Sequence, residues 1–377
     1  MRSVEKIRKL ENVPVLVRAA LNVPVKDGEV SGAFRLRQAL PTIEYLRKRH
    51  ARVILIGHIG DKGIETLEPV YRAMKGFVRD LAFCPTTVGP AALAAIEALP
   101  PGGVLMLENL RRDKGEQGND PAFAASLAAL ADVFVEDSFD VCHRVHASVV
   151  GVPALLPSYA GFLVQEEVKQ LSKALRPKNP SLAIIGGAKF ATKEPVLKKL
   201  LKSYRAVFVG GALANDFMQA KGFPVGKSLV SGADPDELRT LAGNKKLLLP
   251  VDYVVAPAGR DASMGRVCGV NDVRPDEAIL DNGPETIALL AGYVSKAKTV
   301  LWNGPLGNYE NGFVQGTEAL ARVIAGVETR SLVGGGDTVA AIESLKLNDD
   351  FSFISTGGGA MLDFLAKGTL PGIAALD

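Results

Sequence analysis

The stretch SLVGGGDTVAAIES, residues 331–344, runs from a short apolar segment through three glycines and an aspartate into a helical pattern. Because glycine has no Cβ, the backbone at such a turn approaches a ligand closely, and the N-terminus of the next helix adds a positive dipole end. Similar turns occur at GGAK (186–189), GGAL (210–213), NGPLG (303–307) and TGGGA (356–360). One such turn is usually only a tight connection, but five on one sheet predict a site for nucleotide phosphates.

Short β-rich segments alternate with helical patterns along the chain. The first half contains VPVLVR, RVILIG, GVLMLE and DVFVED, and the second half contains SLAIIGG, AVFVGG, TVLWNG, SLVGGG and FSFISTGGG. Strands that are apolar on both faces and alternate with helices are typical of parallel sheets covered on each side. We therefore predict an α/β fold with two doubly wound, Rossmann-like parallel sheets, whose ligands bind at the C-terminal ends of the strands.

The chain of 377 residues is longer than one hydrophobic core usually supports, which predicts two domains. Between the halves, YAGFLVQEEVKQLSKALRPKNP has the pattern of one amphipathic helix that Pro177 and Pro180 stop. The predicted parts are an N-terminal domain at 1–158, a linker helix at 159–176 and a second domain at 177–360. The segment 256–275 is too irregular to assign from its sequence.

The charge balance is nearly even, with 44 Lys and Arg against 41 Asp and Glu and a net charge of +3. Such a balance lacks the positive field typical of nucleic-acid-binding proteins, so we expect no nucleic-acid partner. The charged N-terminal segment lacks an apolar signal region, and no apolar run approaches the length that crosses a membrane. Three cysteines without CxxC spacing indicate reduced thiols, and we expect a cytoplasmic protein with no membrane partner.

Cationic and amide side chains follow the predicted strands of the first half or open the helices after them. They are Arg18, Asn22, Arg35, His58, Arg111, His143 and Arg144. Guanidinium groups pair with carboxylate or phosphate in charge-assisted, often bidentate hydrogen bonds. We therefore predict a site for a small, multiply anionic ligand at this sheet edge; ordinary surface ion pairs are the alternative. His146, in the sequence CHRVH, is expected to be structural.

Asp337 stands beside the expected phosphate site, where a carboxylate repels phosphates unless a divalent cation lies between them. We therefore predict that Asp337 is a Mg²⁺ partner; the alternative is a helix N-cap. Lys189 and Lys193 are four residues apart, so on a helix they share a face and reach the same phosphoryl group; solvated lysines are the alternative.

An ordered set of segments resembles the phosphoglycerate kinase family. They are VRAALNVPVKDG, RLRQALPTIEYL, LENLRR, HRVHAS, IIGGAK, WNGPLG, VGGGDTVAA, STGGGA and LPGIAAL, and the similarity spans essentially the whole chain. The resemblance implies two Rossmann-like domains joined by a helix, with the C-terminal segment 361–377 returning to the N-terminal domain. It also implies a glycolytic kinase, usually monomeric, that transfers phosphate reversibly between 1,3-bisphosphoglycerate and Mg-ADP, giving 3-phosphoglycerate and Mg-ATP.

The resemblance also implies the residues of both sites. The acid-binding residues are Asn22, Arg35, His58, Arg111, His143 and Arg144. The ATP/ADP-binding residues are Gly187, Ala188, Lys189, Lys193, Gly211, Gly283, Asn303, Pro305, Glu310, Gly336, Asp337 and Thr338, with Asp337 engaging the metal. The catalytic residues are Arg35, Lys193, Gly336 and Gly358. Phosphoryl transfer needs positioning and charge neutralisation rather than a general base, and we expect closure about the linker helix to exclude water.

Four active-site segments depart from the family's pattern. Ala20 replaces an aspartate, Asp61 an arginine, Val141 and Cys142 a Gly-Thr pair, and Thr192 an aspartate. Losing one charged hydrogen-bond partner costs about 1.5 to 3 kcal/mol, so these changes predict a divergent substrate site and slower turnover of 3-phosphoglycerate. Two alternatives follow: a nucleotide-binding paralogue that acts through a protein partner, and a related kinase for another phosphorylated hydroxy acid. The sequence leaves open whether Ala20 and Asp61 abolish, weaken or redirect the activity.

Overall fold

The computed structural model describes residues 1–259 and 262–377. Its internal contacts divide the chain into two compact units. Unit 1 contains residues 1–169 and 369–377, and unit 2 contains residues 170–368. Each unit is built on its own parallel sheet.

Unit 1 is a parallel sheet with helices in the connections between its strands. Its strands are β1 (Pro14–Ala19), β2 (Val25–Lys26), β3 (Glu29–Val30), β4 (Arg52–Ile56), β5 (Leu81–Cys84), β6 (Val104–Leu107), β7 (Val133–Asp137) and β8 (Ser158–Ala160). The helices along the same stretch are α1 (Phe34–Lys48), α2 (Glu68–Met74), α3 (Pro90–Glu97), α4 (Lys114–Gln117), α5 (Pro121–Ala128) and α6 (Phe162–Ala174). The main sheet has the order β5-β6-β4-β1-β7-β8, and β2 and β3 form an antiparallel hairpin.

The core of unit 1 lies where the central strands pack against the helices. In β1, Val15 and Val17 are fully buried on one face, and Leu16 between them is fully buried on the other. Val15 and Val17 share a cluster with Leu36 and Ile43 of α1. Since β1 pairs with β4 on one side and β7 on the other, the C-terminal ends of these strands meet at one edge.

Unit 2 has a second parallel sheet of the same kind. Its strands, in chain order, are β9 (Ser181–Ile185), β10 (Ala206–Val209), β11 (Leu247–Leu248), β12 (Asp252–Pro257), β13 (Arg266–Gly269), β14 (Glu277–Asn282), β15 (Thr299–Asn303), β16 (Arg330–Gly334) and β17 (Phe353–Ile354). Its helices are α7 (Phe190–Ser203), α8 (Ala212–Ala220), α9 (Pro235–Ala242), α10 (Pro284–Val294), α11 (Gln315–Ala325), α12 (Gly336–Ser344) and α13 (Gly358–Lys367). The main sheet has the order β11-β10-β9-β15-β16-β17.

Neighbouring strands of this sheet are parallel, and β9 lies between β10 and β15. The winding therefore reverses beside β9, which is the position at which doubly wound sheets bind ligands. Together the two sheets confirm the predicted α/β class.

Unit 2 also contains an antiparallel sheet, β13-β12-β14, that the sequence patterns do not predict. It accounts for part of the unassigned segment 256–275, of which residues 260 and 261 lie outside the described residues. Tyr253, Cys268 and Ile279 form part of its small core, whereas Val267 is exposed. Its strands lack the continuous apolar runs that mark the parallel sheets, because β12 and β14 carry buried polar residues, Asp252, Glu277 and Asp281.

The chain ends in unit 1 with α14 (Pro371–Ala374). There the backbone N–H of Gly372 donates to the carbonyl of Cys142 at 2.8 Å, and the N-terminal amine pairs with the Asp377 carboxylate. The contacts place this change of unit at residue 369, whereas the sequence-based boundary at 361 falls within α13. The reason is that α13 is one continuous helix, whose apolar side chains are buried as a single face.

Asp137, at the end of β7, holds the start of α6. Its Oδ1 accepts the backbone N–H of Leu163 at 2.9 Å, and Thr42 Oγ1 accepts the N–H of Phe162 at 2.9 Å. Asp137 is fully buried, and burial raises its pKa from the ordinary 3.8 to about 7, although the hydrogen bonds oppose this shift. Its carboxyl group therefore takes up a proton on folding between these two pH values.

At each pH, Asp137→Asn changes the free energy of unfolding relative to the parent protein. We expect this change to be more favourable at pH 8 than at pH 5. A buried acid with a raised pKa contributes stability that is full below its unfolded-state pKa and is lost as the pH rises through its folded-state value. Asparagine keeps an oxygen that accepts the N–H of Leu163 but carries no charge. Thermal unfolding of both proteins at the two pH values measures the difference. An equal change in Tm at both pH values contradicts this account.

Candidate active site

The predicted acid-binding residues of unit 1 lie at the C-terminal edge of its main sheet. Asn22 follows β1, and His58 follows β4. Arg111 lies in a short turn after β6, and Arg35 is in the first turn of α1. The remaining two, His143 and Arg144, follow β7. Parallel strands thus bring all six to one edge, as the sequence analysis predicts.

His58 is buried and has one defined hydrogen-bonding partner, Arg18, whose Nη2 lies 3.0 Å from His58 Nδ1. A guanidinium group only donates, so Nδ1 accepts and the proton of the neutral ring is on Nε2. Burial lowers the pKa of His58 well below its ordinary value, and the positive charges of Arg18 and Arg111 lower it further. His58 is therefore a neutral N–H donor within a group of cations.

The buried carboxylate of Glu116 is linked to Arg18 through Ser148. Arg18 Nε donates to Ser148 Oγ at 3.0 Å, and Ser148 donates through Oγ to Glu116 Oε1 at 2.6 Å and through N to Oε2 at 3.0 Å. His146 Nδ1 lies 3.9 Å from Glu116 Oε1. Burial lowers the pKa of His146 to about 4, helped by Arg111 and Arg18. His146, expected to be structural, thus belongs to the same cluster.

Asn22, Arg35 and Arg111 are tied together through the backbone. Arg35 Nη1 donates to the carbonyl of Asn22 at 2.6 Å, and Asn22 Oδ1 accepts the N–H of Gly60 at 3.2 Å. Arg111 Nη1 donates to the Gly60 carbonyl and to Asp61 Oδ1, each at 2.5 Å. Within the described residues, the buried Nε of Arg111 has no hydrogen-bond partner. A buried, unpaired guanidinium N–H indicates a site for an oxyanion.

The four departures from the family pattern have clear structural settings. Ala20, Val141 and Cys142 are buried, and Cys142 Sγ donates to the carbonyl of Ser138 at 3.5 Å. Thr192 donates its hydroxyl to the carbonyl of Lys189 at 3.0 Å. Asp61 is the exception, because its carboxylate pairs directly with a residue of the cluster, Arg111.

Unit 2 has a cavity of about 520 Å³ at the C-terminal ends of its central strands. Ten of the predicted residues line it: Gly187, Ala188, Lys193, Gly211, Asn303, Pro305, Glu310, Gly336, Asp337 and Gly358. They come from the end of β15, from the connections after β9, β10 and β15, and from the first turns of α7, α12 and α13. The five glycine turns therefore meet at one cavity.

The glycine turns cross one another too closely for side chains. Gly335 has φ +107°, and a Cβ there would stand 3.1 Å from the backbone nitrogen of Gly304. Directly beyond it α12 begins at Gly336, and α13 begins at Gly358. The first-turn N–H groups of these helices thus face a shared cavity, where they favour an anionic ligand.

Lys193, Asp337 and Glu310 are charged residues in the lining of the cavity. Lys193 Nζ donates to the carbonyl of Gly186 at 2.5 Å, and burial lowers its pKa to about 8. The pKa of Asp337 is raised, first by burial and then by the negative charge of Glu310, while Lys193 opposes the shift. The helix cap is Gly335, and α12 has no side-chain cap. The N-cap alternative for Asp337 is therefore wrong, and its carboxylate is available for a ligand.

The structure places three predicted nucleotide-binding residues away from the described lining of the cavity. Lys189 is exposed and precedes α7, so it does not share a helical face with Lys193. Gly283 packs against Asp252, whose carboxylate a Cβ would overlap. Thr338 is fully buried in α12, and its Oγ1 has no hydrogen-bond partner among the described residues.

Other lining residues escape the sequence analysis. Leu229, Ile279 and Leu306 give the cavity an apolar wall, and Asp281 lies at its base. Asp281 accepts the N–H of Gly316, the second residue of α11, at 2.8 Å, and burial raises its pKa to about 7. Leu229 comes from an irregular segment, and Ile279 and Asp281 come from the antiparallel sheet, so no local pattern marks these three, whereas Leu306 lies in the turn NGPLG.

Groups of three or more His, Cys, Asp or Glu side chains suited to a metal ion are absent from the described part of the chain. Within residues 1–259 and 262–377, no helix combines the length and apolar character needed to span a membrane.

The two doubly wound sheets, one with a cationic cluster and one with a glycine-lined cavity, define an α/β phosphotransferase. The phosphoglycerate kinase family profile matches residues 4–368. The chain is 46% identical to phosphoglycerate kinase of Moorella thermoacetica over 381 residues, covering 98% of this chain and 97% of that protein.

Solved structures agree with this similarity. The phosphoglycerate kinase from Coxiella burnetii has a TM-score of 0.82 and 37% identity, covering 99% of this chain and 98% of that one. The enzyme from Pyrococcus horikoshii OT3 has a TM-score of 0.89 and 28% identity, with coverages of 100% and 98%. The chain belongs to the phosphoglycerate kinase family, which confirms the resemblance and does not favour the two alternatives.

We expect Gly335→Ala to weaken binding of Mg-ATP by about tenfold or more, because the methyl group meets Gly304 and requires a strained backbone. Isothermal titration calorimetry measures the affinity. Gly292→Ala in α10 is the control, since a Cβ there meets no atom within 4 Å. Unchanged affinity in Gly335→Ala would show that the glycine turns do not form the phosphate site.

Proposed function

We propose that the enzyme transfers a phosphoryl group reversibly between 1,3-bisphosphoglycerate and Mg-ADP, giving 3-phosphoglycerate and Mg-ATP. Family membership supports this reaction. The observation that carries the proposal is the position of the Lys193 amine, 2.5 Å from the Gly186 carbonyl in a cavity that Asp337 and two helix N-termini also line. Such an arrangement suits a ligand with several phosphates and a metal.

The acid substrate is assigned to the cationic cluster of unit 1. Its proposed contacts are Asn22, Arg35, His58, Arg111, His143 and Arg144. The neutral N–H of His58 and the unpaired Nε of Arg111 support this assignment, since both are donors without a competing acceptor on that atom among the described residues. Carboxylate and phosphate are the groups that such donors bind most strongly.

The nucleotide is assigned to the cavity of unit 2. The proposed contacts are Gly187, Ala188, Lys189, Lys193, Gly211, Gly283, Asn303, Pro305, Glu310, Gly336, Asp337 and Thr338. The apolar wall at Leu229 and Leu306 suits a base, and the start of α12 suits the phosphates. Lys189, Gly283 and Thr338 would act from outside the cavity lining.

Asp337 is proposed to hold Mg²⁺. Its carboxylate is partly buried, is not used as a helix cap, and lies close enough to Lys193 for their charges to interact. When bound, Mg²⁺ neutralises phosphate charge and orients the nucleotide. The protein's own contribution is a carboxylate held at the start of α12.

Transfer itself is proposed to depend on charge rather than on proton removal. Lys193, with a pKa of about 8, remains mostly protonated near neutral pH and offsets negative charge on the moving group. Arg35 would do the same from the acid's side, and the backbone N–H groups of Gly336 and Gly358 would add preorganised dipoles.

The enzyme is further proposed to be a cytoplasmic monomer.

A coupled assay with 3-phosphoglycerate, ATP and Mg²⁺ tests the reaction and the catalytic roles. We expect turnover in the parent protein, and a loss of kcat/KM of about 10²- to 10³-fold in Arg35→Ala and in Lys193→Ala. Lys199→Ala, an exposed lysine on the same helix as Lys193, is the matched control. Absence of turnover in the parent refutes the reaction, and full activity in either variant refutes the role of that residue.

A further inference from the structure

The loop after β4 places a negative charge against the acid site. Asp61 Oδ1 lies 2.5 Å from Arg111 Nη1. The Asp61 side chain is 94% exposed, whereas the Arg111 side chain is only 7% exposed. The pair therefore joins a solvent-facing carboxylate to a buried guanidinium group.

The N–H donors of Arg111 have different partners on the two sides of the guanidinium group. Nη1 is used twice by the protein, by the Gly60 carbonyl and by Asp61. On the opposite side, the buried Nε has no partner within the described residues. Because guanidinium groups bind oxyanions through adjacent N–H groups, a ligand anion at Nε lies about one guanidinium width from Asp61.

The loop geometry keeps Asp61 in this position. Gly60 has φ +64° and Gly63 has φ +71°, conformations that side chains rarely adopt. A Cβ on Gly63 would stand 2.0 Å from the Arg111 carbonyl oxygen, so the loop lies directly on the backbone of Arg111. The N–H of Gly60 is also held by Asn22 Oδ1. The backbone that carries Asp61 is thus held beside Arg111.

We propose that Asp61 is a specificity-determining residue that weakens acid binding in proportion to the negative charge of the ligand. This inference rests on the proposed assignment of the acid to the unit 1 cluster. Its carboxylate repels the ligand's carboxylate and phosphate while Arg111 attracts them. Screened Coulomb repulsion across one guanidinium width corresponds to about three- to tenfold in affinity at low salt.

A purely supporting role for Asp61 fits the structure less well. The Gly60 carbonyl already accepts from Nη1 of Arg111, so this atom keeps a partner without Asp61. An ion pair with one fully solvated partner adds little stability, because water screens it. Asp61 is therefore not needed to satisfy Arg111, and its charge near the ligand is the effect that binding measurements detect.

Calorimetric binding at low ionic strength, without nucleotide, tests the proposal on the full chain. The probes are 3-phosphoglycerate and inorganic sulfate, and the proteins are the parent, Asp61→Asn and Glu97→Gln. Glu97 is an exposed acid at the end of α3 and serves as the control for a general change of net charge. Neither substitution removes a buried group, so both variants are expected to fold.

We expect Asp61→Asn to bind 3-phosphoglycerate about three- to tenfold more tightly than the parent, with a smaller gain for sulfate and no gain in Glu97→Gln. The proposal is overturned if Asp61→Asn binds 3-phosphoglycerate no more tightly than the parent, or if Glu97→Gln shows an equal gain. It is also overturned if none of the proteins binds 3-phosphoglycerate. The measurement does not require turnover, so an inactive chain whose affinity still depends on Asp61 would refute the reaction while supporting this inference.

Discussion

Both sites depend on one constraint, which is that neighbouring parallel strands end at the same edge of a sheet. In unit 2 the turns leaving that edge pass within contact distance of one another. A Cβ on Gly358 would stand 3.1 Å from the Cα of Gly335, and one on Gly335 would stand 3.1 Å from the nitrogen of Gly304. Bare backbone fits where side chains do not, and the starts of α12 and α13 consequently line one cavity.

In unit 1, positively charged side chains lie at the corresponding edge of the sheet. Burying them is unfavourable unless a negative charge lies nearby. Glu116 is fully buried and reaches Arg18 through Ser148, so it places a negative charge beneath the cluster. The pKa values of His58 and His146 are lowered by burial and by the arginines, which keeps both rings neutral. In this cluster, therefore, the guanidinium groups carry the positive charge, and the histidines act as neutral hydrogen-bonding groups.

Much of this architecture could be predicted from the sequence, because the strands of both parallel sheets are apolar on both faces. The apolar wall at Leu229 and Ile279 could not, since it comes from an irregular segment and from a strand that also carries buried polar residues. The pair of Asp61 and Arg111 also escaped prediction, because residues 50 positions apart meet only when the loop after β4 and the turn after β6 are placed together. The role of Asp337 depended on where α12 begins, a boundary that sequence patterns do not fix.

Hydrogen exchange with mass spectrometry, with each ligand added alone, tests most directly whether the two sheets bind different ligands. The account predicts that 3-phosphoglycerate slows exchange in unit 1, in the segments around His58 and Arg111, and leaves the glycine turns of unit 2 unchanged. Mg-ADP is predicted to slow exchange around Gly187 and Gly335 in unit 2 and to leave the unit 1 segments unchanged. Protection of the unit 1 cluster by Mg-ADP alone, or of the glycine turns by 3-phosphoglycerate alone, would contradict it.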